Sequence, residues 1–151
     1  MTSDIAFDGI EISNARLFPY PPETLFEAFA DPDQLVHWWG PAGFTNTLTA
    51  FDLRPGGAFN LTMHNSRGQP FDLMKTFHKV ERPSRIVLEH HGPSHRFLMT
   101  MSFEAEGPDT RVTWHMQFAV NDETTEVAPY IRAANEQNFD RLEAFLEERQ
   151  S

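Results

Sequence analysis

A chain of 151 residues with 40% hydrophobic residues, 14 Phe and 3 Trp has the length of about one domain and can bury roughly two-thirds of its unfolded surface, which excludes a disordered protein. The absence of Cys excludes disulfides, thiol nucleophiles and thiolate metal sites, and it agrees with a reducing compartment. A net charge of -10 without any basic stripe excludes nucleic acid as a partner, because binding phosphates needs clustered Lys and Arg that displace counterions.

The opening MTSDIAFDGIEIS lacks the basic flank and apolar run of a signal peptide, and nowhere do about 18 apolar residues run together. Neither secretion nor a membrane span is expected, and the cytoplasm is the expected location. A first strand runs from about Ile10 to Phe18 and ends at Pro19-Tyr20-Pro21-Pro22, which cannot continue a ladder. In PETLFEAFA, Leu25, Phe26 and Phe29 recur at helical spacing behind Pro22, with Glu23 in the first turn where the helix dipole favours it. Asp31-Pro32 restarts the chain as cap and first helical position. Leu35, Trp38 and Trp39 form the next apolar face before Gly40-Pro41 stops it.

From Phe44 the period changes to two, and turn signals at Pro55-Gly56-Gly57, Ser66-Arg67-Gly68, Arg82-Pro83-Ser84, Gly92-Pro93-Ser94 and Gly107-Pro108-Asp109 divide the segment into six strands in meander order. In TRVTWHMQF, Val112, Trp114, Met116 and Phe118 share one face. In HRFLMTMSF, Phe97, Met99, Met101 and Phe103 do the same. A long helix, roughly Glu123 to Glu148, carries Val127, Ile131, Ala134, Leu142 and Phe145 along one stripe. Pro129 belongs in a first turn, which predicts a start near Glu126 with a loop before it. No repeat, linker or low-complexity tract divides the chain, so residues 1–151 are expected to form one domain.

The ordered block from Pro22 to Gly57, with two short helical signals, the Trp38-Trp39-Gly40-Pro41 turn and the Asp52-x-Arg54-x-Gly56-Gly57 turn, resembles the family of activator of heat-shock-protein ATPase homologues. That family lies within the START-like, birch-pollen-allergen-like superfamily, which also contains polyketide cyclases. The resemblance implies an α+β helix-grip: a curved antiparallel sheet wrapped around a long C-terminal helix, with two short helices after the first strand. It also implies a cavity between sheet and helix for a small hydrophobic or aromatic ligand, and by its name a chaperone partner. Relatives carry a Gly-Trp pair in the last helix. Aligning FDRL at Phe139 to Leu142 places Ala134-Asn135 there instead, which implies a more polar cavity.

The same helix carries Asn135 and Asn138 near the middle of its apolar stripe. A buried amide left unsatisfied costs ~1 to 3 kcal/mol, so each needs partners: a ligand, an ordered water or a facing His, or else neighbouring strands and the turn after the paired Trp. His78 follows Met74 and Thr76 at strand period, and His90 follows Ile86 and Leu88, which predicts both as inward-facing. Either can transfer a proton near neutral pH, and either can equally be a satisfied core residue. His90, His91 and His95 flank one turn, but alternation sends His90 and His91 to opposite faces with no carboxylate between them, so no metal site is expected. His37, His64 and His115 read as exposed.

Met63, Met74, Met99, Met101 and Met116 suit either an adaptable apolar pocket or a gap-filled core. No nucleophile elbow, His-Glu-x-x-His or Gly-rich phosphate loop is present, so neither a catalytic residue nor a cofactor is expected. Asp52 and Arg54 read as a structural pair that holds the Gly56-Gly57 turn. The reading is a ligand-binding domain whose contacts are Trp39, His78, His90, Phe97, Met99, Met101, Trp114, Met116, Ile131, Asn135 and Asn138. The alternatives are a cyclase-like or hydrolase-like enzyme using a cavity His, and a chaperone ATPase co-regulator.

Overall fold

The computed structural model describes residues 7–92, 96–119 and 122–150, and in it the period-two segments form one antiparallel sheet. Its strands are β1 (Glu11–Phe18), β2 (Thr45–Phe51), β3 (Ala58–His64), β4 (Pro70–Glu81), β5 (Arg85–Gly92), β6 (Phe97–Glu106) and β7 (Asp109–Phe118). Their order is β1-β7-β6-β5-β4-β3-β2. The meander β2 to β7 is thus closed on one side by the first strand. Between β1 and β2 lie α1 (Pro22–Ala30) and α2 (Pro32–Trp38), and α3 (Asp122–Gln150) ends the chain. This is an α+β helix-grip.

Local chemistry sets these elements. Asp31 ends α1 and caps α2, its carboxylate accepting from the Asp33 N–H at 3.0 Å, which satisfies one of the donors a helix start leaves open. The turn before β3 needs its glycines: Gly56 has φ +84°, and a Cβ on Gly57 would lie 1.9 Å from the Asp52 carbonyl oxygen. That closeness lets the turn join the sheet, Gly56 N–H donating to Phe77 O at 2.7 Å and Phe77 N–H to Gly57 O at 2.9 Å. Arg54 and Asp52 pair at 2.7 Å on the outside of the turn.

The core fills one end of the grip with aromatic rings. Phe29 meets Trp39, Phe51, Phe59 and Phe77 at centroid distances of 5.5 to 6.2 Å, a range in which edge-to-face pairs add to simple burial. Trp38 is buried with its indole N–H donating to Ala28 O at 2.9 Å, so its polar atom costs nothing. Strands β6 and β7 alternate as the pattern predicts, with Met99, Met101, Phe103, Val112, Trp114, Met116 and Phe118 inward.

Three expectations are corrected. On β4 the phase is shifted by one residue: Lys75 and Phe77 face the core, while His78 is exposed and Met74 is 57% exposed. The pairing of Phe59 with Lys75 and Leu61 with Leu73 places these residues on the face that buries Phe59. A one-residue slip would have exposed Phe77 to bury Met74. Second, α3 begins at Asp122, with Pro129 inside it. The loss of one backbone bond at Pro129 is tolerated in a helix of 29 residues anchored along its length. Third, His64 and His115 are half-buried, because their strands have neighbours on both sides; His115 lies 2.8 Å from Glu11. His95 and the turn at Pro93-Ser94 lie outside the described residues. Among the described residues no helix is long and apolar enough to cross a membrane.

The adjacent glycines give a clean test of the turn. Gly57→Ala is expected to lose more than about 3 kcal/mol in urea unfolding, since backbone atoms would have to move, whereas Gly56→Ala, with open space around its Cβ, should lose only about 1 to 2 kcal/mol for its positive φ.

Candidate functional site

The aromatic plug does not extend along the whole grip. Where the first half of α3 crosses the concave face, a cavity of about 390 Å³ remains. Trp39, Gly40 and Pro41 form one wall, Ile131, Asn135 and Asn138 the helix side, and Met63, Leu73, Lys75, His90, Phe97, Met99, Trp114, Met116 and Phe118 the sheet side. The lining is mostly apolar with a few polar groups, the usual make-up of a small-molecule site.

The wall formed by Trp39 to Pro41 is held by α3. Asn138 spans the turn, its Oδ1 accepting from the Gly40 N–H at 3.0 Å and its Nδ2 donating to Trp38 O at 2.7 Å. Arg141, one turn further, donates Nη1 to the carbonyls of Trp39, Gly40 and Pro41, each at 3.0 Å, and Nη2 to His37 O at 3.3 Å. From the other side Asn46 donates to Trp39 O at 2.8 Å and Val36 O at 3.3 Å. The carbonyls that α2 leaves open at its end are therefore taken up by three side chains. Gly40 is required here: its φ is +95°, and a Cβ would lie 2.4 Å from Met63 Cε.

Asn135 faces the cavity from the preceding turn of α3. Its Nδ2 donates to Asn14 Oδ1 at 3.0 Å and approaches Met116 Sδ at 3.3 Å, and Asn14 in turn donates to Glu136 Oε2 at 2.7 Å. The amide donor is thereby committed to β1. Among the described residues the Asn135 Oδ1 accepts no hydrogen bond. Of the two amides, Asn138 is fully occupied in holding the turn, while Asn135 keeps an acceptor available at the cavity wall.

The most unusual group is Lys75. It is 4% exposed, lines the cavity, and its Nζ has no hydrogen-bond partner among the described residues. Its neighbours are ring faces, Phe59 at 4.7 Å and Trp39 at 5.9 Å. Cation–π attraction offsets only part of the lost hydration, and burial pushes the ammonium down to about 7. His90, its cross-strand partner, is buried beside it and stacks on Phe97 at 4.8 Å.

Of the residues singled out from sequence, Trp39, His90, Phe97, Met99, Trp114, Met116, Ile131, Asn135 and Asn138 come together at this cavity. Met101 is buried further along β6, outside the lining. His78 points to the opposite face of the sheet. There it lies 3.1 Å from Glu89, which also meets His91 at 3.2 Å and Arg96 at 2.6 Å. Burial pushes the Glu89 carboxyl up, but the Arg96 hydrogen bond and the nearby His91, Arg96 and His78 outweigh it and hold it below the usual range. Among the described residues no group of three or more potential ligands is placed to hold a metal. Lys75 and Arg141 were missed. The triplet Leu73-x-Lys75-x-Phe77 carried the signal for the first, since a Lys flanked at period two by apolar residues shares their face.

The sequence profile for activator of Hsp90 ATPase homolog 1-like proteins matches residues 19–147. No curated protein matches the chain. Among solved structures, a protein from Arthrobacter aurescens superposes with a TM-score of 0.85 at 20% identity, covering 96% of this chain and 90% of that one. The AHSA1 protein from Silicibacter pomeroyi gives 0.78 at 20%, covering 93% and 99%. The AHSA1-like protein from Aeromonas hydrophila gives 0.78 at 23%, covering 93% and 94%. At these identities the structures share the fold.

Two measurements check the site's construction. Asn138→Ala would strand the Gly40 N–H and the Trp38 carbonyl, and is expected to lose roughly 2 to 4 kcal/mol in urea unfolding, with a change in Trp fluorescence. Lys75→Met keeps the stem and removes the amine. Because the unfolded amine titrates near 10.4 and the folded one at about 7, the unfolded state binds more protons between those values and wild-type stability should rise with pH there, by up to about 1.4 kcal/mol per pH unit. The stability advantage of Lys75→Met should therefore be largest below pH 7 and shrink steadily towards pH 10; an advantage independent of pH would mean that Lys75 is hydrated.

Proposed function

The chain belongs to the activator of Hsp90 ATPase homolog 1-like family, and on that basis we propose that it binds a small hydrophobic or aromatic molecule between the sheet and α3. The observation that carries this reading is the cavity of about 390 Å³. Such a volume falls in the range of small-molecule sites. A core that merely lacked one side chain would relax around the gap, because each unfilled space forfeits packing energy. Here Asn138, Arg141 and Asn46 brace its wall instead, and a braced wall suits a site that must accept a guest without rearranging.

The lining supports an apolar guest with a polar end. Met63, Met99 and Met116 adapt to irregular shapes, and Trp39 and Trp114 present flat faces whose centroids lie 5.5 Å apart. Asn135 Oδ1 offers an acceptor to one edge of the guest.

A thermal-shift screen of lipids, polyketide-like aromatics and flavonoids, followed through the fluorescence of Trp39 and Trp114, tests this directly. A ligand present at a hundred times its Kd should raise Tm by roughly 5 to 10 °C. If no compound in those classes moves either Tm or the Trp emission, the binding reading fails.

A further inference from the structure

We infer that the cavity's ligand carries a carboxylate or an equivalent compact anion, and that Lys75 is the group that receives it. The inference rests on the cavity being a ligand site and names the chemistry of the ligand's polar end.

In a chain of net charge -10 a buried basic group would ordinarily find one of 22 acidic side chains, as Arg16 and Arg96 do. Arg16 meets Glu136 at 2.9 Å and Asp140 at 2.8 Å, and Arg96 meets the buried Glu89. Lys75 does not. No carboxylate among the described residues lines the cavity, and its Nζ makes no hydrogen bond.

Among the described residues, no group around Lys75 is set to neutralise it. From β5 the titratable neighbour is His90, itself basic. The facing residues of β3, which are Phe59, Leu61 and Met63, are apolar, and α3 contributes the uncharged Asn135 and Asn138. Arg141 spends its guanidinium on the turn carbonyls. Two basic side chains thus stand side by side on the cavity floor.

An unpaired buried amine is costly, and a packed protein gains by exchanging it for an apolar side chain. Its presence makes sense when the partner arrives from outside. The amine's desolvation is already incurred on folding, so an incoming carboxylate loses only its own hydration and gains a charge-assisted bond, roughly twice as strong as one between neutral groups. Since burial holds the amine at about 7, the free site is partly neutral at physiological pH. An anion that favours the ammonium form must then draw a proton from solution as it binds.

Isothermal titration calorimetry with decanoate and 2-naphthoate, each set against its methyl ester, tests this in wild type and Lys75→Met, at pH 8 in two buffers of different ionisation enthalpy. Wild type should prefer each acid over its ester by at least about tenfold, and should take up a proton approaching one per acid bound while the esters take up none. Lys75→Met should bind the esters as wild type does and lose both the preference and the uptake; His90 is still present in it, so uptake due to His90 would persist. If the variant keeps the preference, or wild type binds acid without proton uptake, the role of Lys75 is overturned and the binding reading stands. If wild type binds neither acids nor esters, both fall. Should Lys75→Met not fold, His90→Phe makes the separation instead: it should keep both the acid preference and the proton uptake, and loss of the uptake in it overturns the role of Lys75.

Discussion

The structure depends on the hold that α3 has on the turn after α2. Trp38 to Pro41 is a short irregular stretch between a helix end and a strand, and its carbonyls have no partners in regular structure. Asn138, Arg141 and Asn46 supply them. A buried backbone group without a partner costs as much as a lost hydrogen bond, so the turn cannot occupy its place unless α3 is docked. Docking in turn needs Arg16 and Asn14 on β1, which meet Glu136, Asp140 and the Arg132 carbonyl. Strand β1, helix α3 and the turn between α2 and β2 are therefore fixed together, and the cavity lies between them and the sheet.

That arrangement explains why the interior is unevenly filled. At the end covered by α1 and α2, large rings interlock and little room remains. At the other end α3 presents amides and Ile131 where a bulky side chain would close the gap, and the sheet answers with Met, Trp, His90 and Lys75. A buried amine and a buried imidazole on adjacent strands are poor choices for a core built only for stability. They are understandable as parts of a site whose complement is a ligand. The outer face of the same strands shows the contrast, since there Glu89 gathers Arg96, His78 and His91 into a network in which charges are paired.

The sequence made the fold legible through features that backbone geometry demands. Pro22 and Asp31-Pro32 marked the helix starts, Gly56-Gly57 the tight turn into β3, and Val112, Trp114, Met116 and Phe118 a strand with one buried face. The site was only partly legible. Asn135 and Asn138 stood out because amides on an apolar stripe need partners, but which amide held the turn and which kept an acceptor depended on contacts about a hundred residues apart in the chain. On β4, Met74 and Phe77 compete for the interior from opposite phases, and only the pairing with Phe59 settles the matter. The wrong phase turned His78 inward and hid Lys75, so that ambiguity fell on the residue on which the proposed anion site rests. Pro129 misled in a different way, because tertiary anchoring of a long helix outweighs one lost backbone bond.

The central claim is that guests enter the space between the sheet and α3. Methionine methyl groups report on it directly, because Met63, Met99 and Met116 line the space while Met74 lies on the opposite face of the sheet. In protein labelled with 13C at the methionine methyls, titration with 2-naphthoate followed by NMR should shift the signals of Met63, Met99 and Met116 together with one saturation curve and leave Met74 in place. A titration in which those three signals stay fixed, or in which Met74 alone moves, would contradict the account.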